Sequence, residues 1–297
     1  TAFFSTIFLL GSIWFIYSRK MMPDTFSMSL GFIGLYYCML YLKNFKAKNY
    51  TLFFSFILLA FLSKISAVVC IVGIPFLMND VQSKKSRILV ISGTGVALFI
   101  CYLWYFSWNP HLSEVYGSWY NSGTNIPSGI SALLDNVPET LKRFYFSSFQ
   151  SYIAFIVLVV SIISIVIRKQ YQMLMFIIAT LFLFGLYMAK SGSIFYIHSY
   201  YIIPIVPVFA IAIGHFITSI KNSYIAFSIV SLFLIESMAN QQHDLFTKET
   251  EQYKLTLEKI ASDHIGDKEL IAINGNGNPQ ELYLSHRKGF VLNNEDL

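Results

Sequence analysis

From Thr1 to about Met238 the chain is a series of apolar stretches separated by short polar breaks. A helix that crosses a bilayer needs about 20 such residues at a rise of about 1.5 Å each. Stretches of this kind occupy residues 1–17, 25–42, 88–107, 151–167, 172–189, 201–219 and 223–239. Only 12% of the 297 residues are charged and 55% are hydrophobic, whereas soluble domains carry about 25% charged residues. Lipid must be the main solvent, and the expected fold class is an α-helical polytopic membrane protein.

Residues 50–79 are either one long helix with Lys64 at its middle or a hairpin that turns near Lys64. Charge bias favours the hairpin. With it, Lys43, Lys46, Lys48, Lys84, Lys85, Arg87, Arg168, Lys169 and Lys221 all fall on one side, which the positive-inside rule makes cytoplasmic. A single span would move the last six of these to the other side. The hairpin brings the expectation to about nine spans. Its arms are only about 21 Å long by helix rise, so they suit a packed bundle or a tip that opens into a water-filled cavity.

The opposite face then receives the loop from Arg19 to Asp24, a long loop over 108–150, the segment from Lys190 to Tyr200 and the tail. Within the long loop, Ile130, Leu133, Leu134, Val137 and Leu141 recur at helical spacing and predict an amphipathic helix lying on the membrane surface. Ten of the sixteen acidic residues follow Met238. Residues 240–297 therefore read as a separate, water-exposed α/β appendage after a transmembrane domain over 1–239, with the order strand, helix, strand after an initial helical run.

The net charge of +5 sits in short loops between spans, where it sets topology, and no nucleic-acid partner is expected. Cys38, Cys70 and Cys101 lie in apolar runs without metal-ligand spacing and read as packing residues. The apolar N-terminus lacks the flanks of a signal peptide. Together with the absence of an initiator Met, this leads us to expect that the sequence starts inside a longer chain. No internal repeat is present.

Asp24 is the sharpest candidate, being the first acidic residue of the chain and placed at the mouth of a span. It also suits a helix N-cap after Pro23, and the two roles are compatible. Arg19, Lys20, Lys64, Arg143 and Lys190 are cations on the face where the positive-inside rule disfavours them. Snorkelling to lipid headgroups accounts for Arg19, Lys20 and Arg143. A shared anionic ligand, a lipid phosphate, would account for the whole set. In SGSIFYIHSYYIIPIVP, His198, Tyr200 and Tyr201 begin a span kept irregular by Pro204 and Pro207. Interfacial aromatic belts produce such tyrosines, and His198 is open to proton transfer, metal binding or a plain hydrogen bond. The GNGNPQ string lacks the third Gly or the Lys-Ser/Thr pair of a phosphate loop and reads as a turn into a helix.

In order along the chain, RKMMPDTFSMSLGFIGLYYCML, the paired segments LFFSFILLAFLSK and ISAVVCIVGIPFLM, and HSYYIIPIVP resemble polytopic GT-C glycosyltransferases of the protein O-mannosyltransferase type, family 39. The resemblance covers roughly residues 10–215, and the tail ending LYLSHRKGF resembles that of bacterial members. It implies transfer of a sugar, a hexose or pentose, from a polyprenyl-phosphate-linked donor to a glycan, lipid or protein acceptor at the outer face of the plasma membrane. It further implies that Asp24 is the second-loop acid and that Lys64 and Tyr201 hold the donor phosphate; the reading of the external cations adds Arg19, Lys20 and Lys190 to that phosphate site, and His198 and Tyr200 are the candidates for the acceptor or a proton relay. No cofactor is fixed, and a divalent metal stays open. The family's first external loop has no counterpart here. Its principal base is expected upstream of Thr1, and this stretch alone is expected to be inactive. A single in-line displacement would invert the anomeric centre. A flippase of lipid-linked glycans would use a similar basic cavity but usually shows repeated halves. A non-catalytic assembly subunit is the third reading.

Overall fold

The computed structural model describes every residue except 21, 80, 117–122, 267, 276–277 and 294–297. It divides into two units, Thr1–Gln241 and Gln242–Leu297. The first unit is helical throughout its described regular structure.

The opening apolar stretch is not one span. It forms α1 (Ala2–Leu10) and α2 (Ile13–Ser18), of nine and six residues. The interruption is chemically satisfied: Ser12 accepts from the Trp14 amide at 3.1 Å, and the Gly11 carbonyl accepts from Gln241 Nε2 at 2.8 Å and from the Ser237 hydroxyl. A broken helix survives in a bilayer when neighbouring side chains take up the freed backbone groups. Phe8 stacks on Phe233 beside the break, with ring centroids 4.3 Å apart.

The next elements are α3 (Pro23–Asn44), α4 (Ala47–Ser63), a tighter 3-10 stretch over Ile65–Val72 and α5 (Gly73–Met78). Neighbours along α3 show that the chain doubles back at Lys64. Asp24, Gly34 and Tyr41 meet Lys64, Ile57 and Tyr50 in descending order. Met28 and Leu35 meet Cys70 and Gly73 in ascending order. The hairpin predicted from charge bias is therefore present. Gly34 lets α3 and α4 approach, since a Cβ there would lie 2.7 Å from Ile57 Cγ1, the close contact that small residues permit between membrane helices.

Beyond the hairpin, α6 (Lys84–Leu103) continues through a wide turn at Trp104–Trp108 into α7 (Asn109–Tyr116). The expected surface helix is split at Asn136 into α8 (Ile126–Asp135) and α9 (Val137–Lys142). Ile130, Leu134, Val137 and Leu141 stay exposed, while Leu133 packs on the core. Then come α10 (Tyr152–Ile167), α11 (Tyr171–Ser191), the short α12 (Ser193–Ile197), α13 (Val206–Thr218) and α14 (Ser223–Gln241). Gly214 of α13 sits against α1, where a Cβ would lie 2.5 Å from the Ser5 amide nitrogen.

Among the described residues, four helices are long and apolar enough to cross a membrane: α3, α6 with its continuation α7, α11 and α14. Residues 137–167 make a fifth if their two helices, bent by 89°, count as one span. The chain is thus a helical membrane protein. The lower count has a physical origin, because α1, α2, α4, the return arm and α13 are each shorter than the bilayer core requires.

The second unit contains 3-10 turns over Gln242–Leu245 and Glu249–Thr256, α15 (Leu257–His264), β1 (Ile271–Asn274), α16 (Gln280–Leu284) and β2 (Gly289–Leu292). The strands pair in parallel with Ile271 opposite Gly289, so strand, helix and strand follow in the expected order. Much of the run read as α-helix is the tighter 3-10 form. Residues Asn276 and Gly277 of the GNGNPQ string lie outside the described residues. Tyr253 donates to Glu281 at 3.0 Å, and Lys254 approaches the same carboxylate at 3.5 Å. Glu281 is held below the usual carboxylate range by a backbone hydrogen bond first, with smaller help from Tyr253 and Lys254.

Candidate functional site around Lys64

Lys64 is the tip of the hairpin, where α4 ends in an extended residue (φ −158°, ψ 130°) before the chain turns back. Its ammonium lies 2.6 Å from Asp24 Oδ1. Asp24 is not the helix cap, since Met22 takes that position and Asp24 falls in the first turn of α3 behind Pro23. There it is fully buried, and the positive end of the helix dipole favours its charge. The Lys64 contact is a close ion pair rather than a well-aligned hydrogen bond. Asp24 Oδ2 has no hydrogen-bond partner among the described residues.

The walls around the ammonium are aromatic. Lys64 Nζ stands 4.9 Å from the Tyr200 ring centre and 5.1 Å from that of Tyr201, distances at which a ring face attracts a cation. Both tyrosines belong to a 3-10 turn over Ser199–Ile202, and α13 takes up only after Ile205, with Pro207 in its first turn. Tyr201 stacks on Tyr187 at 5.7 Å, and Tyr200 on His198 at 5.2 Å. Tyr17 shares a 2.9 Å hydrogen bond with Ser199 and meets Tyr200 edge-on. Lys20 in turn stands over Tyr17, 4.6 Å from the ring centre.

The expected residues therefore divide. Asp24, Lys64, Tyr200 and Tyr201 form one cluster, His198 stacks on its edge, and Lys20 joins it through Tyr17. Lys190, in the last turn of α11, lines a cavity of about 440 Å³ together with Lys64 and Tyr201. Arg19 is exposed and lies over Phe15, 5.3 Å from the ring centre. Arg143 has a structural partner set: it donates to the Tyr196 carbonyl at 3.1 Å, to Ile197 O at 3.2 Å and to Ser147 Oγ at 3.3 Å. It seals the C-terminus of α12 and so fixes the segment that presents His198 to Tyr201. Water reaches His198, yet partial burial, then the charges of Arg143 and Lys64, hold its pKa below the ordinary value.

Tyr187, Asn109 and Ser113 also line this cavity and were not foreseen. A larger apolar groove of about 860 Å³ lies near Lys169 and His215, lined also by Leu35 and Gly73 and away from the ion pair. There His215 and Gln170 hydrogen-bond at 2.9 Å. Among the described residues no three His, Cys, Asp or Glu side chains come together as a metal site.

The chain matches no family model, no curated protein and no solved structure. What the site can do must be argued from its geometry. Lys64 is a cation held on one side by a buried carboxylate and on two others by ring faces, with Lys190 on the wall of the same cavity. Such an arrangement is suited to an anion arriving from the cavity.

Proposed function

We propose that this chain is a membrane glycosyltransferase of GT-C architecture, resembling family 39, that moves a sugar from polyprenyl phosphate to an acceptor at the outer face of the plasma membrane. The observation that carries the proposal is the Asp24–Lys64 pair, packed under Tyr200 and Tyr201 and opening on a cavity that Lys190 also lines. Counting the short helices, the chain makes about nine passes, with the basic loops cytoplasmic and the site and C-terminal unit outside.

In this reading the ammoniums of Lys64 and Lys190 stabilise the departing lipid phosphate, so no acid is needed to protonate it. Asp24 assists by holding Lys64 in place. Tyr201 presents its face to the same cation, and His198, kept neutral near pH 7, can accept a proton at the cluster's edge. A base takes the acceptor's proton as its oxygen attacks the anomeric carbon, and the bond to phosphate oxygen breaks in line.

The test is sugar transfer from polyprenyl-phosphate-linked donors in native membranes carrying the full-length protein. Asp24→Asn and Lys64→Ala are each expected to abolish it. Activity near wild type in both variants would contradict the assignment.

A further inference from the structure

The groove of about 860 Å³ beside Lys169 is polar at one end and apolar at the other. At the polar end the chain passes from α10 to α11 through Lys169, whose left-handed backbone (φ 54°) makes the reversal tight. Gln170 follows and hydrogen-bonds His215 at 2.9 Å, which holds the end of α13 against this turn. One helical turn deeper, about 6 Å, Phe176 follows Gln172 on α11 and Ile211 precedes His215 on α13, and both line the groove. The groove lies between α3 and α11, two of the helices long enough to cross a membrane. Tyr36 of α3 and Phe76 of α5, also on its lining, stay exposed, so in a bilayer the groove faces lipid.

Charge restricts the occupant. Among the described residues the lining holds one charged side chain, Lys169, and no carboxylate. The loops on this side, over 43–49, 79–87, 168–170 and 219–223, carry nine Lys or Arg against one acid, Asp80. A groove with a cation at its mouth and apolar walls below fits an amphiphile whose head is negative, and basic pockets between spanning helices take anionic lipid headgroups. Its volume lies within the range of small-molecule sites. We propose that this groove binds an anionic glycerophospholipid, with the phosphate at Lys169 and one acyl chain running along Phe176 and Ile211. The site goes beyond the proposed function and takes from it only the leaflet, the cytoplasmic one.

The experiment is native mass spectrometry of the full-length protein in detergent, titrated with phosphatidylglycerol and with phosphatidylcholine of the same acyl chains. Phosphatidylglycerol is expected to bind at least about fivefold tighter, the scale of one lysine beside a negative surface. Lys169→Gln should remove that preference and Lys169→Arg should keep it. Lys84→Gln, which removes a cation of the same side that is not on the lining, should leave it unchanged. Met173→Trp, which fills the groove, should weaken both lipids alike. Lys169 is exposed, so its variants decide the headgroup even if Met173→Trp does not fold. Equal affinity for the two lipids, a preference that survives Lys169→Gln, or one lost equally in Lys84→Gln would overturn the site. A protein dimer that Met173→Trp dissociates would give the groove to a second copy and overturn it as well. No arm uses polyprenyl phosphate, so failure here and failure of the glycosyltransferase reading are separate results.

Discussion

Asp24 and Lys64 illustrate how two isolated charges in apolar sequence become one device. Removing one member of a buried pair strands the other, at a cost of about 3–5 kcal/mol, whereas replacing both can be nearly neutral. Lys64 keeps 19% of its side chain exposed while Asp24 is fully enclosed, so the two single substitutions are not equivalent. Lys64→Met leaves a buried carboxylate and is expected to destabilise strongly. Asp24→Asn leaves a lysine that can still reach water and is expected to cost less. The double variant should recover most of the Lys64→Met loss in a thermal-unfolding cycle. Additive losses would show that the two side chains do not depend on each other. Sequence marked both residues because charge is rare inside spans, but their partnership across forty positions became visible only with the hairpin closed. Arg143 was misread for the opposite reason: its partners are the backbone carbonyls Tyr196 O and Ile197 O, which no residue pattern advertises.

At the scale of elements, several helices are held by side chains from distant neighbours. Glu236 of α14 accepts from the amides of Tyr152 and Ile153, both at 3.0 Å, and from the Ser151 hydroxyl. It thereby caps the start of α10 from outside the helix, where the dipole also favours a carboxylate. Glu236→Ala should lower stability by about 1–3 kcal/mol, read as a fall in melting temperature, with polyprenyl phosphate binding kept at temperatures where the protein stays folded. No change in melting would mean that water replaces the cap. Helices α3, α11 and α14 were legible because each is one uninterrupted apolar run. The break at Gly11 was not, since the groups that satisfy it, Ser237 and Gln241, come from the far end of the same unit. The split at Asn136 was missed because the apolar spacing of Ile130, Leu133, Leu134, Val137 and Leu141 runs across it without a break, and the extension through α7 because NPHLSEVY is rich in turn residues. Read as a helix, it would have set Asn109 and Ser113 on one face.

At the scale of the whole molecule, the hairpin is what brings Asp24 and Lys64 into one site. The basic loops that argue for a cytoplasmic face lie at the ends of α3 and α4 away from Lys64, and the hairpin carries Lys64 back toward the end of α3 where Asp24 waits. Composition made the membrane legible, and charge bias made the hairpin legible. The cavity was not, because three of the residues that line it, Asn109, Ser113 and Tyr187, come from stretches that looked like loop or plain span. The most direct measurement is the affinity of polyprenyl phosphate for the protein in lipid nanodiscs, compared across wild type, Lys64→Ala and Lys169→Ala, the last altering a cation beside the apolar groove. The account predicts that binding falls at least about tenfold in Lys64→Ala and is unchanged in Lys169→Ala. Equal binding by all three, or a loss confined to Lys169→Ala, would contradict it.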